Sequence, residues 1–481
     1  MRRRDYDDYD PGEALIHDQW ASAIAEIETG KRKLENLDQA LEWWARNAPD
    51  LSLSGEKMTD KKLAKWLATT FRILINFIAL KGEEGGLELY IVDGAQLLPA
   101  ESYIAKMANV EQLWGVTTVT VTNNLTKYLL GMAQKMNWRD VNPPDRINTL
   151  AGVLDLHDLS LTPARDAGVY FTYIMRVQPE PEVLAKIRAG QYNVEENQVY
   201  KLWRDHFDDE NWWYFVSSVG TWLYPKRFRH LAWLVGARGT GKSSLLGALT
   251  RPIEPIVART SLDSLLSYTF GMQGLIGKEI IVQNERAVGI LRNIDALNRV
   301  FGESDYIEIK RKHRDPVSIP SMRSAMFSMN DLPLLGEKHG STLDAFLDRL
   351  SIIEMGAPED FSPKRGIVDE VRNEEALYFL LWARQRLEEN GEVIEKRSED
   401  ELRGMVFEGS WLLAEFWRSC IEEVSGERIG GQEAYEAYLR WAKGKLVQPV
   451  GRSAFYDLMA QRVMRITSHH QVAFQDIRLR C

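Results

Sequence analysis

The chain has 481 residues, 44% of them hydrophobic and 27% charged, an ordinary balance for folded protein and a length suited to about three domains. Its formal net charge of −9 argues against a protein that coats nucleic acid over its whole surface, while leaving room for a local basic channel. Two cysteines, Cys420 and Cys481, with no CxxC and no Cys/His cluster, argue against a disulfide framework and a structural zinc and for a reducing, cytoplasmic setting.

The first ten residues are basic and acidic with no apolar run behind them, so they do not read as a signal peptide. Residues 12–48 space Leu15, Trp20, Ile24, Ile27, Leu34, Leu37, Leu41 and Trp44 as amphipathic helices do. Thr59 and Asp60 are placed to cap a second helix running to about Leu80. Its apolar part, residues 66–80, carries Arg72 and Asn76 and is shorter than the roughly 20 residues of a membrane span. A buried helix is expected there, and nothing points to a membrane.

After a glycine-rich turn, residues 87–94 alternate as a strand. A mixed region follows to about Gln178, and the Pro-Glu-Pro-Glu run at 179–182 reads as a linker or turn. A helical segment with Trp203, Trp212, Trp213 and Trp222 then ends at Pro225. From residue 230 to about 355 short apolar strands alternate with helices, the pattern of an α/β nucleotide-binding core. A polar, acidic helical stretch over 376–403 leads into a small C-terminal unit. Most of the fifteen tryptophans are scattered and read as core or interface anchors.

The most informative segment is an apolar strand running into Gly236-Ala237-Arg238-Gly239-Thr240-Gly241-Lys242-Ser243-Ser244, followed by a helix-competent stretch. Glycines at 236 and 241 let successive backbone N–H groups point at phosphate, and the helix that follows adds its positive dipole end. Lys242 is expected to reach the β- and γ-phosphates of ATP, and the Ser243 hydroxyl to ligate Mg²⁺. The bland alternative is a glycine turn before a surface helix.

Hydrolysis also needs an acid on a neighbouring strand, a group that orients water and a charge stabiliser. Glu285 closes a second apolar strand, where ligands collect in open α/β sheets, and is a second candidate metal ligand. Asn330 closes a third strand, and Arg349 stands just before a further one. Singly each has an ordinary reading: solvated surface, a turn, an ion pair with Asp344 or Asp348.

In order and spacing these elements resemble the superfamily 3 helicases, in particular the poxvirus-, phage- and plasmid-type primase–helicase branch. The resemblance implies a first motif at Gly236 to Ser243, a second at Ile280 to Glu285, a strand ending in Asn330 before Pro333, and an arginine finger at Arg349. One departure is that many relatives carry two adjacent acids in the second motif, whereas this chain has Asn284-Glu285. The division of labour between those two residues stays open.

Residues 307–319 read as two alternating strands around a basic tip formed by Lys310, Arg311, Lys312, His313 and Arg314. A solvated loop fits such a charge run. The family likeness instead implies a pore hairpin that grips single-stranded DNA by its phosphates without reading sequence.

The likeness extends loosely to an accessory region upstream and a winged-helix unit downstream. In the latter Phe455, Leu458, Met459 and Val463 would face the core, and Arg452, Tyr456 and Arg462 duplex DNA. A helical cap on the motor fits equally.

The expected architecture is multidomain α/β: a helical region at 1–85, a mixed accessory domain at 86–225, an AAA+-like P-loop motor with a parallel sheet at 226–375, and a helical connector with a winged helix at 376–481. The expected function is an ATP- and Mg²⁺-dependent, ring-forming DNA helicase, with a hexamer and 3′ to 5′ polarity implied by the likeness. It would serve replication of a virus, plasmid or integrated element. No primase centre is evident, so a primase would lie upstream on a longer precursor or on another protein. The alternatives are an ATP-switched origin-binding initiator with little unwinding, and a P-loop kinase or packaging ATPase, whose lid, acceptor pocket or nuclease domain the sequence does not display.

Overall fold

The computed structural model describes residues 17–480 apart from 50, 52–58, 82–85, 114, 268–270, 285–289, 292–293, 302–305, 312–313, 331, 336–339, 359–365, 409–410, 445–448, 450–451 and 469–470. The chain is mixed α/β and forms two compact units, Met1–Gln178 and Pro179–Cys481. The division falls at the Pro-Glu-Pro-Glu run.

The first unit opens with α1 (His17–Glu28), α2 (Leu37–Asn47) and α3 (Asp60–Leu74). Asn36 and Thr59 cap α2 and α3 by accepting from the backbone N–H groups of Gln39 and Lys62, which satisfies donors a helix start leaves orphaned. β1 (Phe77–Lys81), β2 (Leu87–Asp93) and β3 (Gln96–Pro99) follow, then α4 (Ala100–Ala108), α5 (Val119–Met132) and β4 (Gln134–Asn137). These strands make a sheet ordered β3-β2-β1-β4, antiparallel except for the β1–β4 pair. Trp44, fully buried, packs edge-on against Phe71 and donates its indole N–H to the Met107 carbonyl at 2.7 Å. A meander of β5 (Arg146–Thr149), β6 (Gly152–Asp155) and β7 (Leu161–Thr162) completes the unit.

The helix expected to reach Leu80 stops at Leu74, and Phe77–Lys81 is a strand. Ile75 closes the helix in extended conformation. Four consecutive buried residues, Phe77 to Leu80, then fill both faces of a central strand, a pattern that periodicity alone does not separate from a buried helix.

The second unit begins with α6 (Pro181–Arg188), α7 (Gln198–Trp203) and α8 (Asp209–Gly220). Its sheet contains β8 (His230–Val235), β9 (Val257–Ala258), β10 (Ile280–Asn284), then β14 (Ser324–Met329) and β16 (Leu350–Glu354), once β11 (Ile290–Leu291), β12 (Tyr306–Arg311), β13 (Arg314–Pro320) and β15 (Leu334–Leu335) have been passed. The order is β16-β8-β14-β10-β9 and every pairing is parallel. Helices α9 (Lys242–Thr250), α10 (Leu262–Ser267), α11 (Ile294–Val300) and α12 (Gly340–Arg349) lie between the strands in sequence. Burial of Trp233, Phe327 and Ile352 between layers explains why these strands are apolar runs rather than alternating ones. Each such side chain contributes about 1.5–3 kcal/mol on leaving water.

The stretch expected to be polar contains α13 (Asn373–Glu389), and there the expectation fails: Ala376 to Arg384 are all buried. Phe379 packs against Trp212 and Phe215 of α8, and a Cβ on Gly220 would stand 2.6 Å from the Ala383 carbonyl, so glycine permits the close crossing. The acids confined to the ends of α13 had disguised it.

α14 (Glu399–Glu408) precedes a terminal module of α15 (Trp411–Cys420), β17 (Ile421–Gly430), α16 (Gly431–Gly444), α17 (Arg452–Arg462), β18 (Arg465–Ser468) and β19 (Gln471–Leu479). Its antiparallel sheet has the order β17-β19-β18. Phe455, Leu458 and Met459 are buried as expected, with Val463 packed beside them, while Arg452 and Arg462 are exposed and Tyr456 half-buried. The reading against disulfides does not hold at Cys420, which is disulfide-bonded. Pairing of β17 with β19 brings the end of the chain beside it, the Arg480 N–H donating to the Cys420 carbonyl at 2.8 Å; Cys481, the other cysteine of the sequence, lies outside the described residues. Among the described residues no helix is long and apolar enough to cross a membrane.

Candidate nucleotide-binding site

The sheet of the second unit has a switch point at β8: the chain leaves it for β9 at the far edge, works back through β10 to β14, and then places β16 on β8's other side. Ligands of open α/β sheets sit at the carboxyl ends of strands at such a point. The loop of residues 236–241 lies there, between the end of β8 at Val235 and the start of α9 at Lys242.

The loop's shape explains its glycines. Gly239 and Gly241 both take φ of +90°, and Gly241 is the N-cap of α9 without any side-chain cap, leaving the helix's first N–H groups facing outward. Gly236 is needed for a different reason: a Cβ there would lie 2.1 Å from the Met355 carbonyl oxygen at the end of β16. Ala237, Arg238 and Gly239 are exposed, as is Ser243, while Ser244 is half-buried. An exposed Ser243 one residue into the helix is free to turn toward a cation at the loop's mouth.

Lys242 is buried, and its ammonium donates to the Gly236 carbonyl at 2.5 Å, the Ala237 carbonyl at 2.8 Å and the Thr240 hydroxyl at 3.2 Å. It also lies 3.4 Å from the Asn330 side-chain oxygen, just beyond the end of β14. The first and third predicted elements therefore meet at one point.

At the end of β10, Asn284 is exposed and its amide oxygen accepts a 2.6 Å hydrogen bond from the Ser328 hydroxyl on β14. A neutral amide held by a hydroxyl is oriented without needing a cation beside it. Glu285 lies outside the described residues, so its metal and water roles rest on the sequence.

Arg349 does not join this cluster. It precedes β16, whose Leu350 pairs with Leu231 and whose Glu354 pairs with Val235. Arg349 is thus level with the amino end of β8, about 16 Å of strand away from the loop that follows Val235. That exceeds the reach of its side chain, which instead donates to the Asn298 amide oxygen at 2.8 Å. The half-buried Lys396 ammonium caps the end of α12 by donating to the Leu347 and Asp348 carbonyls, which fixes the backbone from which Arg349 projects. His230, fully buried, bonds the Arg349 backbone and the Ser218 hydroxyl, and burial pushes its pKa down to about 3.

His206 is a site residue that the sequence reading missed. Its Nδ1 bonds the Gly356 carbonyl at 3.0 Å and its ring also bonds the Thr240 backbone, so it ties the 236–241 loop to the end of β16. Burial lowers its pKa. Nothing in its local sequence, Trp203-Arg-Asp-His206, distinguishes it from a surface histidine.

The basic hairpin forms as expected from β12 and β13, antiparallel with Ile307 facing Ile319. Ile307, Ile309 and Ile319 are buried and Glu308 and Lys310 exposed, the alternation of a strand with one wet face. Lys312 and His313 lie outside the described residues, and of Arg311 and Arg314 only the backbone is described.

Residues 234–342 match a family described as a family of unknown function, DUF5906. They make up less than half of the chain. Among solved structures, an A-form apo structure of the NrS-1 C-terminal region aligns with 88% of this chain and 100% of its own at 12% identity and a TM-score of 0.39. An apo structure of NrS-1 residues 305–718 gives 88% and 100%, 13% identity and a TM-score of 0.40. Values this low define neither the fold nor the function of this chain. None of the curated proteins matches it.

Proposed function

We propose that this chain is an Mg²⁺-dependent ATPase of AAA+ type that works as a ring-forming DNA translocase or helicase in the replication of a virus, plasmid or integrated element. The observation that carries the reading is the meeting of Lys242 and Asn330 across the mouth of the 236–241 loop, beyond the carboxyl ends of the parallel strands β8 and β14. In this reading ATP lays its phosphates on the N–H groups of the loop, and Lys242 exchanges the loop carbonyls for the β- and γ-phosphates. Ser243 and Glu285 are the residues that would hold Mg²⁺, which supplies charge neutralisation between the phosphates. Asn330 orients the attacking water, and Asn284, held by Ser328, lines the same edge.

The position of Arg349 at the opposite end of the sheet supports a ring. A charge stabiliser that cannot reach its own loop is useful only at a neighbour's nucleotide, so ATP would lie between subunits of a homo-oligomer, which we take to be a hexamer. Lys310 and the basic tip of the hairpin would then converge on single-stranded DNA in the pore. The order α15, β17, α16, α17, β18, β19 supports a winged helix at the C-terminus, with Arg452 and Arg462 on its outer surface as contacts for duplex DNA.

The test is ATP hydrolysis by the purified protein with and without single-stranded DNA, beside Lys310→Ala/Lys312→Ala. Stimulation by DNA that the variant loses, with basal hydrolysis intact, supports a translocase. Hydrolysis indifferent to DNA in both proteins points to the ATP-switched initiator instead.

A further inference from the structure

The first unit carries a charged face that the motor reading does not use. Residues 60–81 and 119–137 hold seven lysines and arginines against one acid, Asp60, in a chain whose net charge is −9. On α3 the exposed positions after Asp60 are Lys61, Lys62, Lys65, Thr69 and Arg72; Lys61, Lys65, Thr69 and Arg72, at spacings of four, four and three, form one ridge. The ridge from Lys61 to Arg72 is about 16 Å long at the helical rise of 1.5 Å per residue. α5 packs alongside α3, its start joined to the start of α3 by the Thr118 hydroxyl donating to the Asp60 carboxylate at 3.5 Å. The exposed positions of α5 add Lys127 and the uncharged Asn123.

Other exposed helices of this chain are built differently. α2 pairs Arg46 with Glu42, and the exposed last turn of α13 pairs Arg386 with Glu389, so cations are matched by acids there. Among the described residues Lys61, Lys65, Arg72 and Lys127 make no ion pair. A ridge of like charge costs a helix stability, since like charges at i,i+4 repel. Interleaved acids, used elsewhere in the chain, would remove that cost.

We propose that the α3–α5 face binds the phosphate backbone of duplex DNA without reading sequence. The partner follows from what the face offers. Apart from Asp60 and Val119 at the two helix starts, its exposed groups are cations, hydroxyls and amides, which suit phosphate oxygens. Its aromatic side chains, Trp66 and Tyr128, are packed against the core rather than presented, so it lacks the stacking platform on which single strands are held. The helix pair is a convex ridge of fixed geometry, suited to a rigid duplex that presents a phosphate about every 3.4 Å along each strand. This surface is on a different unit from the hairpin and from the C-terminal module, and the proposal holds whether or not the motor translocates.

The experiment measures binding of the full chain to a fluorescein-labelled 20-base-pair duplex of arbitrary sequence, and to the matching single strand, across a range of salt concentrations. The variant is Lys61→Gln/Lys65→Gln/Arg72→Gln, at exposed positions where glutamine is nearly as good a helix former. Duplex affinity is expected to fall at least about tenfold, and the salt slope to flatten by about 0.9 for each phosphate that the variant no longer neutralises. Single-strand affinity and DNA-stimulated ATP hydrolysis should stay within twofold of the parent. Unchanged duplex affinity and slope overturn the proposal and leave a solvated face or an acidic protein partner. A loss confined to the single strand overturns it in favour of a strand-tracking surface. Because Lys310→Ala/Lys312→Ala is scored by stimulated hydrolysis and this variant by duplex binding, either reading can fail alone.

Discussion

The Lys242 ammonium and the Asn330 amide oxygen stand 3.4 Å apart although 88 positions separate them in the chain. The parallel pairing of β14 with β8, Met329 opposite Val235, brings them together, and neither residue's own neighbourhood contains the other. The contact makes the two residues separable by kinetics.

Asn330→Ala should lower kcat for ATP hydrolysis by about 10²-fold, the usual cost of losing one positioned polar group, while nucleotide affinity changes by less than about threefold. Lys242→Ala should abolish nucleotide binding itself. Equilibrium binding of a fluorescent ATP analogue beside steady-state hydrolysis checks both, and an Asn330→Ala protein with weakened binding and unaltered kcat would contradict the assignment.

Arg349→Ala should reduce hydrolysis by about 10³-fold if the residue acts as an arginine finger. Its distance from its own loop makes a sharper expectation available. Mixing Lys242→Ala with Arg349→Ala, each inactive alone, should restore hydrolysis, because some interfaces then join an intact loop to an intact arginine. Mixtures that stay at the sum of the two inactive proteins would show that Arg349 does not act across an interface.

The buried pair of Arg323 and Glu279 joins the starts of β14 and β10, with Arg323 also donating to the Tyr224 carbonyl. Arg323→Met leaves a buried carboxylate without its cation and should cost about 3–5 kcal/mol. Arg323→Met/Glu279→Leu should recover much of that loss, since two apolar side chains are often no worse than a desolvated pair. Chemical denaturation of the two proteins decides it.

Acid should destabilise the second unit earlier than its carboxylates alone would. His230 stays neutral in the folded state because burial holds its pKa down to about 3, whereas the unfolded chain takes up that proton near pH 6.5. Its contribution is therefore complete above about pH 6.5 and is lost as pH falls below it, by about 1.4 kcal/mol per pH unit. His206, also lowered by burial, adds with the same sign. Denaturation midpoints between pH 7 and 5 should show a steep slope that His230→Gln flattens.

The strand, glycine-rich loop and helix around residues 236–241 were legible because their signal is local: glycines, lysine and serine at fixed offsets after an apolar run. The hairpin was legible for the same reason, its alternation and basic tip being contiguous. What could not be read were relationships made by packing. The strand at Phe77–Lys81 passed for helix because a strand buried on both faces loses its alternation. α13 passed for surface because its acids cluster at its ends while residues 376–384 face inward. His206 gave no signal because its partners, Gly356 and Thr240, are supplied by other strands' ends. The proline-rich break at 179 was visible, and the two compact units divide there.

Arg251, one residue beyond the end of α9, donates to the Asn373 side chain at 2.6 Å and to the Val368 and Val371 carbonyls. The helix that follows the 236–241 loop is thereby bolted at its last turn to the start of α13, the longest helix among the described residues. A short helix fastened at its far end acts as a lever, so a tilt at the loop would be felt at the start of α13.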